Sequence, residues 1–234
     1  MSGRLPYPEG STPGGKGRFE GYEVLGQRRY WDEQTRELVM GRLDNIPQLE
    51  FFSPAEAETA GALLDTILDQ HEDPRVPVLA MVDARLHAGE TDGWRYEDMP
   101  EDAMAWRESL LFLDDDAIQS FGHRFHECSL EDQGRVVQGV QDTEGAWYSL
   151  PAKHVWSLWS RYACSAFYSH PLAWNEIGFG GPAYPRGYKV LHPGWREPWE
   201  VAEHQAADPV PWATQVERAK RSHEVRTDTK ADQE

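Results

Sequence analysis

Any chemistry this chain performs must come from a few clusters of ionisable residues, and the densest is His123-x-x-His126-Glu127-Cys128. Two histidines three positions apart on a helix lie near one face, a spacing that suits a divalent cation. No other pair of His, Cys or carboxylate residues stands at a recognisable ligand spacing, and a site needs both ligand identity and geometry. The cluster also precedes Ser129, which reads as a helix start, so one helix need not run through it. An ordinary surface segment is the expectation. A stand-alone helical metal-dependent enzyme using His123, His126 and Glu127 is the alternative.

A second grouping, Tyr168, His170, Asn175 and Glu176, surrounds the His170-Pro171 junction. A histidine beside a glutamate can serve as a general base. No nucleophile, base and orienting group can be assembled around it, however. His170 and Asn175 are therefore expected to cap the C-terminus of the preceding helix, satisfying its last carbonyls and fixing the loop beyond. Gly180-Gly181-Pro182 suggests an anion-binding nest. That reading needs a helix to begin directly afterwards, and Pro182-Ala183-Tyr184-Pro185 is not a helix start. A turn requiring positive φ at glycine is the simpler expectation.

Several chemistries are argued against by what is missing. Cys128 and Cys164 are the only cysteines and fall outside any C-x-x-C spacing, so zinc and dithiol motifs are absent. They read as free thiols in a reducing compartment. No G-x-G-x-x-G follows a strand and no β-α-β pattern occurs, which argues against a dinucleotide fold. Without C-x-x-C-H there is no site for covalent haem.

At 234 residues the chain can form one domain with a real core plus extensions. Its formal charge of −17 argues against nucleic acid, because phosphate neutralisation needs clustered Lys and Arg. The one dense basic cluster, Glu217–Arg226, alternates with acids. The acidic excess favours solubility and a complementary basic partner. Ten tryptophans are present, many in Pro- and Gly-rich segments, where they need the domain or a partner to pack against. No apolar run is long enough to span a bilayer, which argues against membrane insertion. Arg28-Arg29 superficially resembles a twin-arginine signal, but the residues that follow, YWDEQTREL, are charged where an apolar stretch is required. A cytoplasmic location is expected.

The elements that must position these groups are mostly helices. Residues 1–50 form an N-terminal extension: a Gly- and Pro-rich arm to about residue 21, then a segment over 22–43. That segment fits either a hairpin turning near Asp32–Thr35 or a short helix, and periodicity does not separate the two. The domain begins at Phe51. Ser53, Pro54 and Glu56 spell a capped helix start, and Leu63, Leu64, Ile67 and Leu68 continue it at helical spacing. Further helices are expected over Pro77–His87, over Pro100–Phe121 with a kink at Asp114–Asp116, and from Ser129 through Val140. The clearest runs from about Pro151 to Tyr168, with Val155, Leu158, Trp159, Tyr162, Ala163, Ala166 and Phe167 on one face. Beyond His170-Pro171 regular structure is expected to stop. The fold class is all-α: a single helical-bundle domain over 51–190, a long aromatic, Gly- and Pro-rich loop region, and a C-terminal extension over 191–234 that ends in a polar tail.

Around the end of that last helix the residues form a recognisable pattern. Phe167-Tyr168-Ser169, then Pro171, Asn175, Gly178, Gly180-Gly181 and Tyr184-Pro185-Arg186-Gly187-Tyr188 resemble the C-terminal signature of the gluconate 2-dehydrogenase subunit 3 family. The opening FFSPAEAETAGALLDTIL is similar to that family's first helix. Leu113-Asp114 and Phe121-Gly122 fit its helical middle. The resemblance covers about residues 51–190. It implies a small subunit, carrying no flavin itself, that pairs with a large FAD-binding oxidoreductase acting on sugars, sugar acids or polyols and supports its folding, maturation or export. A cytochrome subunit often completes such complexes. This sequence departs from the pattern at His170, where an acidic residue is common, and at Ala173-Trp174, where small glycines are common. A twin-arginine leader, which many relatives carry, is not expected here. These departures fit a cytoplasmic subgroup.

With no catalytic set in view, the loop reads as a contact surface. Interfaces enrich aromatic anchors and arginine. The expected partner interface is Tyr168, His170, Trp174, Asn175, Phe179, Tyr184, Arg186, Tyr188, Trp195 and Trp199. Of the set Trp174, Phe179, Tyr184, Tyr188, Trp195, Trp199 and Trp212, about half are expected to pack on the core.

Overall fold

A computed structural model describes residues 12, 19, 21–190, 192 and 195–201. Most of the expected N-terminal arm, Trp212, the Glu217–Arg226 cluster and the polar tail lie outside the described residues. Seven α-helices carry the described chain: α1 Glu33–Asp44, α2 Pro54–Leu68, α3 Val78–His87, α4 Asp102–Phe121, α5 Leu130–Asp142, α6 Ala152–Tyr168 and α7 Pro171–Ile177. Strand structure among the described residues is confined to β1 Ala146–Trp147, paired antiparallel with β2 Leu150–Pro151. The all-α reading holds.

Local capping accounts for where the helices begin. Ser53 Oγ accepts the Glu56 N–H at 3.3 Å while Glu56 accepts the Ser53 N–H at 2.8 Å, closing the expected capping box ahead of Pro54. Ser129 caps α5 through the Asp132 N–H at 3.2 Å. Asp32 does the same for α1, accepting the Thr35 N–H at 2.8 Å. That cap belongs to a helix, so the helical alternative for residues 22–43 is the one realised. A 3₁₀ helix over Val24–Tyr30 precedes it.

The core lies between α2, α3, α4, α5 and α6. Ala57, Ala60, Leu63 and Leu64 of α2 face the predicted stripe of α6, whose Val155, Leu158, Trp159, Tyr162 and Ala163 are all buried. Trp106 and Trp159 are wholly buried. Trp159 keeps its indole N–H satisfied by donating to Ser109 Oγ at 3.0 Å. Asp83, wholly buried on α3, accepts the N–H groups of Glu50, Phe51 and Phe52 at 2.7, 3.1 and 2.8 Å. This carboxylate fixes the point where the chain enters the bundle.

Two expectations are corrected. The helix α4 runs through Asp114–Asp116 without interruption. Its acids are consumed laterally: Asp114 accepts from Thr59, from Arg124 and from the Phe125 N–H, and Asp116 from the Trp147 indole at 2.7 Å and the Tyr148 hydroxyl at 2.8 Å. Side chains so engaged do not compete for the backbone bonds of their own helix. Regular structure also continues past Pro171, which takes the first position of α7, a place where its missing N–H costs nothing.

Val24, Leu25, Trp31, Val39 and Leu43 bury themselves with Trp174 of α7 in a second apolar cluster. The segment 22–44 is thereby packed against the start of the C-terminal loop.

Candidate partner-docking face

The metal alternative finds no assembled site. Among the described residues no three His, Cys, Asp or Glu side chains gather as a ligand set. The segment forms a short 3₁₀ turn, Phe125–Glu127, in which Glu127 accepts the Arg124 N–H at 3.0 Å. His126 Nε2 lies 3.6 Å from a Glu58 oxygen, and His123 is exposed.

His170 caps a helix, but the opposite end from the one expected. It sits before α7, not as the cap of α6, and its Nδ1 accepts the Leu172 N–H at 3.2 Å. Its Nε2 lies 3.1 Å from the Arg42 carbonyl, to which it donates. These two partners assign the neutral Nε2–H tautomer. Arg42 returns a bond from its guanidinium to the Ser169 carbonyl at 2.6 Å, so α1 and the α6–α7 junction are tied twice. Asn175 ties the 3₁₀ segment: its Oδ1 accepts the Val24 N–H at 2.8 Å and its Nδ2 donates to Glu23 at 3.2 Å. Trp174 donates its indole N–H to the Tyr168 carbonyl at 2.7 Å and meets Phe179 edge-on. His170, Trp174 and Asn175 of the expected interface are thus buried within the chain, His170 at 1% exposure. They tie α7 to α1, to the 3₁₀ segment and to the end of α6 and are buried.

Burial pushes His170 from its ordinary 6.5 down to about 4, against the Arg42 carbonyl that favours the protonated ring. A histidine depressed in the folded state stabilises the fold above its unfolded pKa. That contribution falls away as pH drops from about 6.5 towards 4, amounting to a loss of about 2 kcal/mol near pH 5. Urea midpoints measured across this range should fall for the native chain. They should fall less steeply for His170→Asn, which can still cap α7; parallel profiles would refute the assignment.

The loop beyond α7 is built on close backbone approach. A Cβ on Gly180 would stand 2.5 Å from the Trp199 ring, and one on Gly181, at φ +73°, would stand 2.8 Å from Trp31. Trp199 therefore lies directly on the Gly180 backbone. The Arg186 guanidinium covers Trp199 at 3.9 Å and donates to Gln27 and to the Gly180 carbonyl at 2.9 and 3.1 Å. Tyr188 leans against Trp199 with ring centroids 4.9 Å apart. Tyr22 donates its hydroxyl to the Phe179 carbonyl at 3.0 Å, and burial raises its phenol to about 12. Glu197, itself buried, accepts the N–H groups of Lys189 and Val190 and closes the far end of the loop.

What this frame presents to solvent is aromatic. Tyr168, Phe179, Tyr184, Tyr188 and Trp195 are exposed, Tyr184 at 67% and Trp195 at 72%, while Arg186 and Trp199 are half-buried beneath them. The N-terminal segment adds Arg28, Arg29 and Tyr30, which the sequence reading did not include. Tyr30 lies 5.7 Å from the Arg186 guanidinium. No local pattern links Tyr30 to Arg186 across so much chain.

A hollow of about 560 Å³ opens elsewhere, between the 89–95 loop and the start of α4. Asp92, held by both Arg85 and Arg161, and Asp102, which accepts the Tyr162 hydroxyl at 2.7 Å, pin its walls. Burial and the Asp102 bond raise the Tyr162 phenol. The Asp92 pairs fasten a polar loop to α3 and α6.

Among the described residues no helix is long and apolar enough to cross a membrane. Comparison with curated proteins and with solved structures produced no match. The family model described as gluconate 2-dehydrogenase subunit 3 matches residues 54–181, from the first residue of α2 to the glycine under Trp31. The matched span is more than half of the chain and ends inside the loop just described, and the chain belongs to the gluconate 2-dehydrogenase subunit 3 family, small subunits of a dehydrogenase complex.

Proposed function

We propose that this chain is a non-catalytic accessory subunit that docks onto a large FAD-dependent oxidoreductase acting on a sugar, sugar acid or polyol. On this reading it supports the partner's folding or maturation, and the flavin resides in the partner. A cytochrome is a further candidate member of the complex, and the assembly works in the cytoplasm. The observation that carries the proposal is the exposed aromatic face. Tyr184, Tyr188 and Trp195 stand in solvent on a loop whose backbone is held by Arg186 at Gly180, by Trp199 packed on Gly180 and by Glu197 at Lys189 and Val190. A rigid aromatic surface loses little entropy on association, and desolvated aromatic anchors dominate interface energies.

Co-expression with the large oxidoreductase subunit tests it. The two chains should co-purify, and the flavin-to-protein ratio of the partner should rise when this chain is present. A Tyr188→Ala/Trp195→Ala double variant should bind at least about 30-fold more weakly, as expected for the loss of about 2 kcal/mol at anchor positions. A large subunit that folds, loads flavin and turns over equally well alone would remove the proposal.

A further inference from the structure

We propose that the docking face recognises an acidic surface on its partner, opposite in sign to what the whole-chain charge of −17 suggests; this rests on the docking reading above. The 3₁₀ segment and the loop reverse the local charge. Residues 22–31 and 178–201 carry five cationic side chains, Arg28, Arg29, Arg186, Lys189 and Arg196, against three carboxylates, Glu23, Glu197 and Glu200.

The two sets differ in how they are used. Glu23 accepts from the Leu25 N–H and from Asn175, Glu197 from two loop N–H groups, and Glu200 from the Glu197 N–H at 2.7 Å. Those hydrogen bonds hold Glu197 below the ordinary carboxylate range, the Val190 and Lys189 amides being the main cause. The carboxylates are spent inside the frame, and Glu197 is buried. On α7 behind the loop, one oxygen of Glu176 is also buried. Among the described residues none of the five cations forms an ion pair. Arg28, Arg29, Lys189 and Arg196 are exposed beside the aromatic anchors.

Elsewhere the chain is strongly acidic. An acidic partner patch is then attracted at this face and repelled over the rest of the surface, which orients the encounter as well as speeding it. A basic partner surface would be drawn to many places on this chain and least of all to this one.

The complex of the full chain with the co-expressed large subunit provides the test. Its association rate should fall at least about tenfold between about 50 mM and about 500 mM salt, as the screening length shortens. At low salt an Arg28→Glu/Arg29→Glu/Lys189→Glu variant should bind about 30-fold or more weakly. Arg28→Lys/Arg29→Lys should bind within about threefold of the native chain, since charge is the shared property. A milder Arg28→Gln/Lys189→Gln variant, checked by circular dichroism, gives the same direction should the reversal disturb folding. A complex that forms but ignores salt and charge reversal, or tightens on reversal, overturns the acidic-partner inference and leaves docking intact. No complex at any salt removes the docking reading, and this inference with it.

Discussion

Replacing Asp83 with alanine is expected to destabilise the chain by about 4 kcal/mol, a large share of the stability of a domain this size. The carboxylate is wholly buried and accepts three consecutive backbone N–H groups where the chain enters α2. Alanine removes all three acceptors at once. Each stranded buried donor costs about 1–3 kcal/mol, softened where water can reach Glu50 at the rim. Asp83→Asn keeps one acceptor oxygen but turns an amide donor towards the N–H groups. It should therefore lose about as much, whereas a surface exchange such as Asp73→Asn should cost under about 0.5 kcal/mol. Urea denaturation followed by circular dichroism measures this directly. A midpoint for Asp83→Ala matching the native one would show that other contacts hold the entry.

Trp199→Ala is expected to weaken partner association about 100-fold while moving the thermal midpoint by no more than about 3 °C. The indole takes no part in the main apolar core. It fills the space over Gly180, carries the Arg186 guanidinium at 3.9 Å and supports Tyr188. Removing it releases Arg186 from its stack and leaves the exposed anchors without a common frame. The affinity lost is then mainly preorganisation, and direct contact is a smaller part. A smaller ring that restores stacking, as in Trp199→Phe, should recover most of the binding. Unchanged association for Trp199→Ala, measured on the co-expressed complex, would place the docking surface elsewhere. A large drop in melting temperature would mean that the loop is part of the cooperative core.

Some of this was legible because it is decided within a few residues. The capping box at Ser53, the N-cap at Ser129, the apolar stripe of α6 and the end of α4 before Gly122, which takes a positive φ, are decided within one helical turn. The kink expected at Asp114–Asp116 did not follow. Three adjacent acids look like a helix breaker until Thr59 and Arg124 are known to meet Asp114, and Trp147 and Tyr148 to meet Asp116. Likewise α7 hides behind a His-Pro junction, because its cap is an imidazole and its buried face waits for the 3₁₀ segment.

The aromatic loop from Phe167 to Tyr188 carried the family resemblance and, by its lack of a nucleophile beside a base, the shift from chemistry to contact. Residue types and spacing sufficed for that. They did not divide the set into the buried His170, Trp174 and Asn175 and the exposed Tyr184, Tyr188 and Trp195. Nor did they bring Arg28, Arg29 and Tyr30 to the same face. That division depends on the bond from Val24 to Asn175, whose partners are 151 residues apart, and on the fit of Trp31 against Gly181. Local propensity and periodicity are short-range and can be read from neighbours, while burial and the local sign of charge depend on which distant segment arrives to cover or join a surface.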